Sequence, residues 1–305
     1  MSVAIIINPI AGGRRRPASV GHRVDLARRV AAECARDADV FVTDRQGHAR
    51  DLARAARASG AQLVVAWGGD GTVNEVASAL AFGAVPMGIV ADGSGNGLAR
   101  ELGIDSDPAG ALRAALRAQA RPMDLGEIGG RLFVNVAGVG FDAEIAARFN
   151  APGNRVRGLT GYALLTAGAL MRYTPRLYDI TTPDSHATVR ALFIVFANGT
   201  EFGNRIRIAP HARIDDGSLD LVVVAERTRA ATMWNLRHVI ARTVERASVW
   251  SARPVQQATI ESDAPMRFHV DGEPVDGGTR LEARVHPAAL QICVGDTRRT
   301  MPGKS

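Results

Sequence analysis

The residues best suited to moving a phosphate lie in three glycine turns and two acidic clusters. Gly68, Gly69, Asp70, Gly71 and Thr72 follow an apolar run that ends in Trp67. Glycines there leave no Cβ and permit positive φ, so backbone N–H groups can close around an anion at the positive end of the following helix. Asp70 is out of place beside a phosphate unless it meets a metal, an arginine or a proton in transit. A second turn, Asp92 to Gly97, carries Ser94 and Asn96, which can donate to phosphate or cap the next helix. A third, Asn8 to Gly12, runs into Arg14, Arg15 and Arg16, which suit an anion or simply a solvated loop. Asp215 and Asp216 form one acidic cluster, and Asp271 with Glu273 the other. Phosphoryl transfer needs a hard cation on oxygen ligands and a carboxylate to take the hydroxyl proton, and these clusters offer both. All of these stretches also suit plain turns, which Gly and Asp dominate, so the pattern alone leaves both readings open.

The elements around the turns alternate. Strands are expected at Val3 to Ile7, Val40 to Thr43, Leu63 to Trp67 and Pro86 to Ala91. Helices are expected at Val20 to Ala35, Ala49 to Ala58, directly after the central turn, at Leu98 to Leu102 and at Pro108 to Ala120. Strand and helix at crossover spacing predict a doubly wound, mostly parallel sheet, with all three turns at the C-terminal ends of strands. Beyond residue 126 the texture changes to Val-, Ile- and Phe-rich runs between Gly, Pro and Asp: Arg131 to Val139, Thr188 to Ala197, Leu219 to Ala225, Ala258 to Glu261, Met266 to Val270 and Leu281 to Val285. The fold expected is an α/β N-terminal domain, residues 1–125 completed by 288–305, plus an all-β, antiparallel, sandwich-like domain at 126–287. Leu290 to Val294 would be the returning strand, and the active site would lie in the interdomain cleft. Gly158 to Met171 has an apolar helical pattern that suits a lipid pocket, a membrane surface or ordinary core packing. Gly138, Gly140 and Ala143 fit the spacing G-x-G-x-x-A, but the flanks read as β and no acid lies about 20 residues on, so a dinucleotide site is not expected.

Composition narrows the field. With 305 residues, 46% hydrophobic and 22% charged, the chain is an ordinary globular one with room for two cores. Cys34 and Cys293 are too few for a disulfide framework, and no signal peptide or spanning segment is expected, so the setting expected is the cytoplasm. The net charge of +6 suggests an anionic partner, or merely a taste for arginine. The single lysine, Lys304, removes both the Walker A loop and the protein-kinase lysine.

Taken in order, NPxxG at Asn8 to Gly12, GGDGTVNE at Gly68 to Glu75, GSGNGLAR at Gly93 to Arg100, DDGSLDLVVV from Asp215 and VDGE at Val270 to Glu273 resemble the diacylglycerol kinase catalytic-domain family. That family spans bacterial lipid kinases and sphingosine kinases, with NAD kinases as remote relatives. The resemblance implies ATP bound by Asn8, Pro9, Ile10, Ala11, Gly12, Thr43, Gly68, Gly69, Asp70, Gly71, Thr72, Val73, Asn74 and Ser94. It implies Mg²⁺ on Asp216 and the backbone oxygens of Arg213 and Ser218. Glu273 would be the general base, with Asp271 beside it and Asp70 acting on a second Mg²⁺ or on the nucleophile. The product would be a phosphorylated lipid, diacylglycerol or a relative; alternatives are an NAD kinase-like enzyme and an inactive lipid- or nucleotide-binding regulator. Gly97 replaces a carboxylate found in many diacylglycerol kinases, and the GSGN form is similar to sphingosine-kinase-like members. The partners expected are lipid and an anionic membrane surface contacted peripherally, without nucleic acid; a homodimer is compatible with the sequence.

Overall fold

The computed structural model describes residues 2–12, 19–93, 95–150, 169, 173–202, 206–226, 243 and 246–295. Two compact units emerge, Met1–Met123 with Ala288–Ser305, and Asp124–Pro287.

The first unit runs β1 (Ser2–Ile7), α1 (Val20–Glu33), β2 (Asp37–Val42), α2 (His48–Ala58), β3 (Leu63–Gly68), α3 (Asp70–Leu80), β4 (Met87–Ala91), α4 (Gly97–Glu101) and α5 (Pro108–Arg117). Its strands lie in the order β2-β1-β3-β4, all parallel. Between β1 and β3 the winding reverses, so the turns leaving these two strands flank the switch point of the sheet. Strands covered on both faces read as continuous apolar runs, as β1 and β3 do. Val3, Ile5, Ile7, Val65 and Trp67 face Ala27, Val30 and Ala31 of α1 and Leu112 and Leu116 of α5. The alternate residues Ala4, Ile6, Val64 and Ala66 are buried on the opposite face, where α2 and α3 pack.

The second unit follows through β5 (Ala120–Ile128), β6 (Arg131–Phe133), β7 (Val136–Gly140), α6 (Phe141–Asn150), β8 (Arg176–Thr182), β9 (Ser185–Ala197), β10 (Glu201–Phe202), β11 (Ile206–Arg207), β12 (Leu219–Ala225), β13 (Trp250–Val255), β14 (Gln257–Glu261), β15 (Arg267–Val270), β16 (Glu273–Asp276) and β17 (Arg280–Cys293). The pairings of β9 with β7, β8 and β12, of β15 with β7 and β16, and of β14 with β8 and β17 are antiparallel. Central strand β9 is buried on both faces over its last four residues, Ile194 to Ala197. Ile194 and Phe196 join a core with Tyr178, Leu221 and Phe268, while Val195 and Ala197 join another with Val136, Ile208 and Val222. The end of β17 leaves this unit, and Ile292 and Cys293 pair in parallel with Met87 and Gly88 of β4.

Several boundaries differ from expectation. Arg131 to Val139 is two strands, because Asp271 takes the N–H groups of Val134, Asn135 and Val136 and withdraws them from a ladder. The helix from Pro108 stops at Arg117, where Ala118 turns extended, and the expected strands Leu281 to Val285 and Leu290 to Val294 are one long strand, Arg280–Cys293. β5, β8, β10, β11, β13, β16 and α6 are additions; β13 carries Pro254 and pairs with β12 alone. Arg14 to Arg16 and Ser94 lie outside the described residues, as does the 158–171 helical pattern apart from Ala169, which is buried beside Phe141 and Ile145. Among the described residues no helix is long and apolar enough to cross a membrane.

Candidate functional site

The turns of the first unit are bound to one another by side chains. Asn8 continues β1 by one bond, its N–H donating to the Trp67 carbonyl at 2.9 Å. Its Nδ2 donates to Thr72 Oγ1 at 2.9 Å, and its Oδ1 accepts the Ile10 N–H at 3.1 Å. A Cβ on Gly93 would sit 2.6 Å from the α-carbon of Gly69, so these two turns pass backbone to backbone and position 93 needs glycine, while a Cβ on Gly69 would meet Gly93 at 3.3 Å, a tight contact. The Asp92 N–H donates to the Gly68 carbonyl at 2.9 Å. Thr43, beside the end of β1, donates its N–H to Ile7 and is buried, as are Thr72, Val73 and Asn74. Pro9 is partly covered, whereas Ile10 is 90% exposed.

Asp70, the first residue of α3, accepts the N–H of Asn96 at 2.8 Å and of Gly97 at 2.9 Å, and so caps α4 from another turn. Burial pushes its carboxyl above the usual range, against the pull of those N–H groups and of the nearby Arg100 charge. Glu75 does the same for α2, accepting from Gly47 at 2.8 Å and Ala49 at 3.1 Å. Both acids of the central motif therefore fasten helix starts.

Arg23 completes the arrangement. Its side chain is 3% exposed, donates to the carbonyls of Asn8 and Ala11, and pairs with Asp92 at 3.0 Å. No motif contains it, although a signal exists: Arg23 is the charged member of the buried stripe Arg23, Ala27, Val30, Ala31 on α1.

In the second unit, Asp271 accepts the N–H groups of Val134 at 2.8 Å, Asn135 at 2.9 Å and Val136 at 3.1 Å. Asp271 and Gly272, with φ of 49° and 87°, form a two-residue left-handed hairpin turn between Val270 and Glu273. Glu273 opens β16 and is exposed. In the other acidic cluster, Asp216 accepts both the N–H (3.0 Å) and the hydroxyl (2.8 Å) of Ser218, and Asp215 pairs with Arg213 at 3.3 Å. Buried Asp124 accepts the Gly217 N–H at 2.7 Å and sends its own N–H to Ile214. Asn198, fully buried, donates to the carbonyls of Asp124 at 2.9 Å and Val134 at 2.8 Å. Asp124 and Asn198 thus tie the two acidic turns to one framework; neither belongs to a motif or carries a spacing signal. Among the described residues no three His, Cys, Asp or Glu side chains gather as metal ligands. One carboxylate with main-chain oxygens, as at Asp216, Arg213 and Ser218, nonetheless suits Mg²⁺, which is usually held by one or two carboxylates and retains water.

Two family models match the chain, one over its N-terminal and one over its C-terminal part. The diacylglycerol kinase catalytic domain matches residues 2–128, and the YegS C-terminal NAD kinase beta sandwich-like domain matches residues 135–294. A protein of Chromohalobacter salexigens named "Probable lipid kinase YegS-like" is 34% identical over 239 residues, 77% of either chain. One of the same name from Pseudomonas aeruginosa is 33% identical over 262 residues, 85% of either chain. A crystal structure described as a diacylglycerol kinase from Bacillus anthracis str. Sterne superposes with a TM-score of 0.73 at 19% identity, covering 97% of both chains.

Proposed function

Because the chain belongs to the diacylglycerol kinase catalytic-domain family of YegS-like lipid kinases, we propose that it transfers the γ-phosphate of ATP to the hydroxyl of diacylglycerol or a related lipid. The observation that carries this reading is the binding together of the three turns, by Asn8, Asp70 and Arg23, around the N-terminus of α3. A helix start with close glycine backbone offers N–H donors and a positive dipole to phosphate oxygens. Asn8 to Gly12, Thr43, Gly68 to Asn74 and Ser94 would surround the nucleotide.

Glu273 would accept the lipid hydroxyl's proton while that oxygen bonds to the γ-phosphorus and the bond to the bridging oxygen of ADP breaks. Asp271 and Asp70 receive backbone N–H groups and act as positioning residues, whereas Glu273 is the exposed carboxylate of the three. Asp216 and the main-chain oxygens of Arg213 and Ser218 would hold Mg²⁺, whose charge, when bound, offsets anionic charge.

The test is transfer from labelled ATP and Mg²⁺ to diacylglycerol, monoacylglycerol, phosphatidylglycerol, sphingosine, ceramide and NAD, with Glu273→Gln alongside. A labelled lipid whose yield falls about 100-fold or more in the variant is expected. The variant's unfolding free energy in urea should stay within about 0.5 kcal/mol of the unaltered protein, because the side chain is exposed. Labelled NAD instead, or ATP binding with no transfer, would overturn the reading.

A further inference from the structure

Directly beneath the Asp271–Gly272 turn lies a buried pair that the reaction as described does not use. His269 in β15 is 1% exposed, and Asp142 in the first turn of α6 is 6% exposed. His269 Nε2 lies 3.2 Å from Asp142 Oδ2, while Asp142 Oδ1 accepts the Ala143 N–H at 2.8 Å. Room for this contact comes from Gly138, which pairs with His269 across the sheet; a Cβ there would run into both the Asp142 carboxylate and the His269 ring.

On the far side of the ring, Nδ1 lies 3.2 Å from the N–H of Gly272. A backbone N–H only donates, so Nδ1 is the nitrogen with the lone pair, and the ring proton sits on Nε2, where Asp142 receives it. The carboxylate thereby selects the one tautomer that can hold Gly272. This N–H belongs to the second residue of a left-handed turn and has no place in the strand ladder.

We propose that Asp142 and His269 are positioning residues that fix the Asp271–Gly272 turn through the Gly272 N–H and so set the place of Glu273. The proposal rests on the reading of Glu273 as the base. Asp271 ties its side of the turn to residues 134–136, and His269 ties the other side.

Two substitutions at one position separate this role from simple packing. Asparagine places an oxygen near the position of Nδ1, so His269→Asn keeps an acceptor for Gly272. Glutamine reaches the position of Nε2 but leaves nothing at Nδ1, so His269→Gln loses it. In ¹⁵N-histidine spectra of the unaltered full-length protein, His269 should be the Nε2–H tautomer. His269→Gln should speed hydrogen exchange at Gly272 about tenfold and lower kcat about tenfold with KM for ATP unchanged, while His269→Asn stays within about twofold in each. An Nδ1–H tautomer, or equal loss of kcat in both variants, would overturn the proposal. If His269→Gln does not fold, the tautomer of the unaltered protein decides. If the unaltered protein phosphorylates no lipid, the role of Glu273 falls, and the Gly272 exchange rates alone decide whether the pair holds the turn.

Discussion

Arg23 answers to three acceptors, and its guanidinium is almost wholly removed from water. Removing one partner of such a pair costs more than the pair itself contributes, since the remaining groups stay desolvated and unpaired. Arg23→Met should therefore destabilise the first unit by about 3 kcal/mol in urea unfolding, and Asp92→Asn, which leaves the buried guanidinium without its counter-charge, by about as much. ATP binding, followed by titration calorimetry, should weaken at least about tenfold, because the Asn8 and Ala11 carbonyls lose their anchor. The same division of labour explains what the sequence disclosed at this scale. Motif acids were visible as acids, but only coordinates separate those that fasten backbone, Asp70, Glu75 and Asp271, from the exposed Glu273. A carboxylate's partner 26 or 136 positions away leaves no trace in local spacing.

β7 ends at Gly140 and runs directly into α6, where the sequence suggests only β flanks around Gly138 and Gly140. β7 nonetheless pairs antiparallel with β9 and β15, so no βαβ unit forms, and Gly138 serves the Asp142–His269 contact instead of a pyrophosphate. Gly138→Ala should lower the stability of the second unit by about 3 kcal/mol, read by thermal unfolding, as overpacking at a site with no slack. β1, β3 and β4 were legible because each is a continuous apolar run closed by a turn of Gly, Asn or Asp, whereas β2, with Asp37 and Asp39 in its first half, was legible only from Val40 on. β8, with Arg176, Asp179 and two threonines, and β13, with Arg253 and Pro254, are held by neighbours more than by their own composition, so their pattern was too faint to read. The hairpin at Asp271–Gly272 was legible as a turn from its dipeptide, and the structure gives it both a turn's geometry and a place beside the exposed Glu273.

Across the whole molecule the charge is +6, which favours approach to an anionic surface such as the one where the proposed lipid acceptor would reside. Sedimentation with phosphatidylglycerol vesicles should recover the protein at about 0.1 M salt and lose it at about 1 M, as the screening length falls from about 10 to about 3 Å. Recovery that ignores salt and lipid charge would rule this out. The parallel pairing of Ile292 and Cys293 with Met87 and Gly88 also has a bearing on biosynthesis. On the ribosome, which adds roughly 5–20 residues each second, β4 emerges long before its outer neighbour and must wait with one edge bare while residues 92–291 are made. A bare parallel edge is a template for pairing with other chains. The nascent first unit is therefore most prone to aggregate during synthesis of the second, and translation speed through that interval becomes a determinant of yield.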